Sequence, residues 1–120
     1  SSVLMYRSGH GKVQVQVIFD TNTFWLSQQR MAELFGVTVP TINYHLDQIE
    51  QSGEIHLSDA IRKIRIPSDK WSGEVMMYNL DVVIAVGYRV NSYEATQFRI
   101  WATQVLKDTT SSELFKTVNY

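Results

Sequence analysis

WLSQQRMAELFGVTVPTINYHLDQIE, residues 25–50, holds two short amphipathic segments parted by Phe35-Gly36-Val37. Ser27 carries a hydroxyl suited to a helix N-cap, where it accepts from the otherwise orphan amide of Arg30. Met31, Leu34 and Phe35 then share one face, and Ala32 is small enough to admit a second helix. Gly36 supplies the left-handed residue that ends a helix over 28–35. Thr38 and Val39 lead into Pro40, whose fixed φ suits the first turn of the next helix. Ile42, Leu46 and Ile49 recur at i, i+4 and i+7, so they point inward from a helix over 40–51 that Ser52-Gly53 stops.

That spacing is the pattern of a helix-turn-helix. The motif wants a small residue in its first helix, a glycine four positions on, an apolar residue next, and a branched apolar residue in its second helix. Ala32, Gly36, Val37 and Ile42 meet those demands, while His45, beside Leu46, stands where an inward apolar residue is expected. The competing reading is an ordinary helical hairpin in a core.

Outside this stretch, Val13-Gln14-Val15-Gln16-Val17 alternates with the period of a strand buried on one face. Asp20-Thr21-Asn22 is turn chemistry, and 23–26 returns as a second strand. Residues 1–12, with Gly9 and Gly11, read as a weak strand or a loose lead-in. Residues 57–60 form a short connector. Ile61–Ile66 and Glu74–Tyr78 are strand-like around an exposed loop, Pro67–Gly73, and such a hairpin after a helix-turn-helix is the winged-helix arrangement. Further helices are expected over 81–88, with Asp81 at its positive end, and over 92–107, capped by Asn91-Ser92. Thr109–Ser112 reads as a polar break before a tail, 109–120.

The expected fold is thus α+β: one winged-helix-like domain over 1–108 with a helix-turn-helix, β-hairpins and two C-terminal helices. Trp25, Phe35, Ile42, Leu46, Val83, Phe98 and Trp101 are the candidate core. At 120 residues, with 44% hydrophobic and 19% charged side chains, the composition is that of one ordinary globular domain. No apolar run nears the roughly 18 residues that span a bilayer, and no basic-then-apolar leader opens the sequence. The absence of cysteine fits a reducing cytoplasm. The Ser1-Ser2 start is what a fragment of a longer chain would show.

The formal charge of −1 is divided unevenly, with three basic and six acidic side chains in 1–60 against eight and six in 61–120. A duplex responds to local potential rather than to the molecular sum, so this balance neither demands nor excludes DNA. With Ile42, Leu46 and Ile49 inward, Pro40, Tyr44, Asp47 and Gln51 stand outermost on the second helix, with Thr41, Asn43 and Gln48 on the shoulders. Asn43 and Gln48 have the amides that read adenine edges, and Tyr44 suits a phosphate or a thymine methyl. Thr38 stands at the entrance to the same helix. That face lacks cations and carries Asp47, so backbone affinity must come from Arg30 and from Arg62, Lys63, Arg65 and Lys70 of the wing. Arg62 and Lys63 are adjacent on a strand and face opposite ways. The bland alternative for these charges is a solvated guard on an edge strand. Trp71, at the loop tip, is a candidate wedge, interface anchor or lid.

Enzyme signatures are thin. His10, His45 and His56 lack the spacing of a helical zinc site, and there is no GxSxG, P-loop or cysteine nucleophile. Glu33, Asp47, Glu50 and Glu54 are spread as a solvated helical surface would have them. No cofactor, metal, membrane or small-molecule substrate is expected.

YNLDVVIAVGYRVNSYEATQFRIWATQVLK, residues 78–107, resembles the corresponding stretch of RhuM-family proteins, and the resemblance extends back through 24–55. The GYRVNS…TQFRIWAT block is its most distinctive part. Weaker matches are the wing between Ile61 and Val75 and the tail after Lys107. The resemblance implies a bacterial DNA-binding group from genomic islands or mobile elements, whose members are usually longer. Together with the missing cysteines and enzyme motifs, the expectation is a cytoplasmic, non-enzymatic targeting module of a longer regulator, with double-stranded DNA as its partner. A more distant similarity, carried by Leu80, Arg89, Ala95, Phe98 and Trp101, is to the Bro-N domain of phage antirepressors. It opens a second expectation, a homodimerising or partner-binding module without direct DNA contact.

Overall fold

The computed structural model describes residues 2–8, 13–65, 73–90 and 92–118, the last ten by backbone alone. Along the chain run β1 (Ser2–Arg7), β2 (Gln14–Asp20), β3 (Thr23–Leu26), α1 (Gln28–Phe35), α2 (Val39–Ser52), α3 (Leu57–Ala60), β4 (Ile61–Arg65), β5 (Glu74–Asn79), α4 (Leu80–Val90) and α5 (Tyr93–Val118). The class is α+β, as expected. The five strands form one antiparallel sheet in the order β1-β2-β3-β5-β4.

The lead-in before the glycines is a full strand, pairing Ser2 to Phe19 through Arg7 to Gln14. The β2–β3 hairpin turns at Thr21 and Asn22, both at positive φ (51° and 62°), which suits Asn but is uncommon for Thr. Among the described residues, the ladder between the β2–β3 and β4–β5 hairpins consists of the pairs Trp25↔Asn79 and Leu26↔Tyr78. The side chain of Gln28 donates to the Tyr78 hydroxyl at 3.0 Å, tying the start of α1 to the same seam.

One face of the sheet carries the core. Tyr6, Val15, Val17, Phe24 and Leu26 alternate inward along their strands and meet α1, α4 and α5. The ring of Phe98 stands edge-on to Tyr6 at 5.3 Å, and that of Trp101 stacks on Phe24 at 5.3 Å. Burial holds the Tyr6 hydroxyl above its ordinary pKa, with Tyr93 and Glu94 adding to the effect. All of the expected core residues are buried except Trp101, which is half-buried at the margin. Trp25 is buried on the other face of the sheet, outside the main cluster.

α2 packs on α1 and α4, forming a second layer above the helices that cover the sheet. The Asn79 side chain accepts from Val82 N–H to cap α4, and Ser92 accepts from Ala95 N–H to cap α5. The backbone of α5 runs on to Val118, so the polar break expected at 109–112 does not end the helix. Ser and Thr lower helix propensity by only a few tenths of a kcal/mol each, roughly too little to stop a helix without a Gly or Pro.

Candidate nucleic-acid interface

The join between α1 and α2 is built as its residues dictate. Arg30 N–H donates to Ser27 Oγ at 3.1 Å, and Gly36 ends α1 at φ 70°, with its N–H reaching the Ala32 carbonyl. Thr38 caps α2 by accepting from Thr41 N–H, and the two hydroxyls lie 3.0 Å apart. Both threonines therefore serve the helix start as well as the outer face. Ile42, Leu46 and Ile49 are fully or nearly fully buried, which fixes the rotation of α2. Pro40, Asn43, Tyr44 and Asp47 are exposed, Tyr44 at 60%, with Thr41 and Gln48 half-buried on the shoulders. His45 is half-buried and edge-on to the Tyr44 ring at 5.6 Å, so the departure from the motif is taken up at the rim rather than in the core.

The expected cations fall into separate groups. Arg30 pairs with Glu33 at 3.0 Å and lines a small depression with Gln16, Ile18, Trp25 and Met77. Arg62 lies over Trp25, its guanidinium carbon 4.5 Å from the ring centroid, and pairs with Asp20 at 3.5 Å. Those two arginines thus gather at Trp25, on the sheet face away from the core, and each is held by a carboxylate. Lys63 and Arg65 point from the other side of β4 and are exposed, with no carboxylate in ion-pair range among the described residues. Lys70 and Trp71 lie outside the described residues.

Sequence reading missed the use of Arg62. Asp20 is distant in the chain, and only the pairing of both hairpins into one sheet brings it near. Also unforeseen is the Arg89–Glu54 pair at 2.6 Å, which ties α4 to the end of α2. The hydrogen bond from Arg89 holds the Glu54 carboxyl below its ordinary pKa. Among the described residues no group of three or more His, Cys, Asp or Glu side chains is placed to hold a metal ion. No described helix is long and apolar enough to cross a membrane.

Residues 59–114, from α3 through most of α5, match the family model described as Virulence protein RhuM family. Over that stretch, a little under half of the chain, the protein is similar to the family. No curated protein and no solved structure gives a match.

Proposed function

We propose that the chain is a non-enzymatic, helix-turn-helix module that binds double-stranded DNA through the outer face of α2. The observation that carries this reading is the join itself. A capped first helix, a left-handed Gly36 and a capped second helix present Asn43 and Tyr44 to solvent on an element fixed by three buried residues. Asn43 and Gln48 hydrogen-bond base edges, Tyr44 contacts a phosphate or a thymine methyl, and the Thr38 and Thr41 hydroxyls reach the backbone. The β4–β5 hairpin acts as a wing, with Lys63 and Arg65 supplying phosphate contacts. Arg30 and Arg62 contribute only by leaving Glu33 and Asp20, so they are secondary. The protein works in the cytoplasm as the targeting part of a longer regulator from a genomic island or mobile element.

Selection from a randomised duplex pool tests this reading. An enriched site is expected, Asn43→Ala should relax preference at one or two base pairs, and Lys63→Ala with Arg65→Ala should weaken every sequence alike. A pool that emerges unenriched, or enrichment indifferent to Asn43, would sink it. A second reading, a homodimerising or antirepressor-like partner-binding module, draws support from Tyr88, Tyr93 and Ile100, large side chains left more than half exposed on α4 and α5.

A further inference from the structure

A cleft of about 180 Å³ opens between α4 and α5, away from the residues assigned to DNA. Phe35, Val83, Gly87, Ala95 and Phe98 form its apolar lining, while Ser92, Thr96 and Arg99 are polar residues on α5 and its cap. At roughly 30 Å³ per water in the liquid, this is space for about six waters, or for one large side chain. α4 and α5 approach closely here. A Cβ on Gly87 would come within 3.2 Å of the Ala95 Cβ and 3.4 Å of the Phe35 ring. Across Ile84 and Tyr88, which line both, lies a shallower groove bounded by Glu54, Ile55, Asp81, Ala85 and Arg89. Tyr88, 64% exposed, is the shared wall, and the Arg99 guanidinium carbon lies 4.7 Å from its ring centroid.

The charges on the two sides differ. Arg89 is matched by Glu54 in the shallow groove, whereas Arg99 in the cleft has no carboxylate in ion-pair range among the described residues. We propose that this cleft docks a segment of a protein partner that presents a large apolar side chain with a carboxylate within one helical turn of it. The apolar side chain fills the space over Gly87 and Ala95, the carboxylate pairs with Arg99, and the flanking chain crosses Tyr88 into the second groove. An exposed tyrosine and an arginine around a desolvating pocket are the residue types that dominate protein interfaces. The half-open form suits a chain passing over the surface better than an enclosed small molecule. The site shares no residue with the proposed DNA surface, so either can fail alone.

The test is selection of random dodecapeptides, displayed on phage, against the immobilised chain. The best peptide is then synthesised and its affinity measured by fluorescence polarisation. Enriched peptides should place Leu, Phe or Trp within four positions of Asp or Glu. Arg99→Gln should weaken binding about tenfold, as loss of a charge-assisted hydrogen bond does. Thr96→Trp, at an exposed rim position, should block binding while leaving the far-ultraviolet circular dichroism unchanged. No enrichment over the naive library, enrichment of basic or acid-free peptides, or an affinity unmoved by both substitutions overturns the proposal.

Discussion

Gly36→Ala isolates the conformational demand of the α1–α2 turn. Gly36 sits at φ 70°, ψ 33°, and a Cβ built there meets nothing within 4 Å. The substitution neither removes a side-chain contact nor creates a clash, so its effect is confined to the backbone and to the unfolded chain. Placing an L-residue in the left-handed region costs about 1–2 kcal/mol. Stiffening the unfolded chain returns about 0.4–1 kcal/mol of this. The net expectation is a loss of about 1 kcal/mol. In equilibrium urea unfolding followed by circular dichroism, with a slope of about 1.5 kcal/mol/M, that is a midpoint lowered by about 0.7 M at unchanged slope. Gly36→Asn should recover part of the loss, because Asn tolerates this region. Gly53→Ala, at φ 74° and equally free of neighbours, should lose a similar amount. An unchanged or higher midpoint for Gly36→Ala would refute the reasoning, since no left-handed constraint could then exist at the turn. A loss above about 3 kcal/mol would refute it too, because it would require packing defects that an unhindered Cβ cannot cause.

Phe98→Ala, which empties a fully buried site against Tyr6 and Trp101, should cost about 3–5 kcal/mol by the same unfolding assay. Arg62→Ala removes the guanidinium over Trp25 and the Asp20 pair, both partly exposed, and should cost about 1 kcal/mol, with Arg62→Lys recovering only part. Because Glu54 has a lowered folded pKa, its contribution to stability is present above the ordinary carboxylate pKa and is lost as pH falls through the folded value. Carbon-detected NMR titration should place Glu54 below the ordinary range in the native chain and return it toward that range in Arg89→Gln. An identical titration in both would discredit the Arg89 hydrogen bond as the cause.

Legibility in the sequence followed the range of the interaction. The Ser27 cap, the Gly36 stop and the inward set Ile42, Leu46 and Ile49 are local signals, and the structure reproduces each. β2 was equally legible, because Val15 and Val17 alternate with polar neighbours. β1 was weaker on the page. Val3-Leu4-Met5 has no alternation, since Val3 and Met5 are exposed apolar residues on the face away from the core. Joining two hairpins into one sheet depends on two residue pairs between distant segments, for which no local pattern exists. The same tertiary step brings Arg62 to Asp20 and Trp25, so the availability of that cation could not be judged from spacing. The outer face of α2 was readable from the helical period, but the separation of the cations into two groups rested on the sheet.

Association with DNA through α2 and the β4–β5 hairpin is tested most directly by the salt dependence of duplex affinity, using the site selected from the random pool. If Lys63 and Arg65 supply most phosphate contacts, the slope of log K against log salt concentration should lie near about −2, at roughly 0.9 per neutralised phosphate. Lys63→Ala should reduce its magnitude by about one, while Asn43→Ala lowers affinity for the selected site and leaves the slope alone. Absence of binding at the lowest salt, or a slope that neither Lys63→Ala nor Arg65→Ala changes, would contradict DNA recognition by this surface.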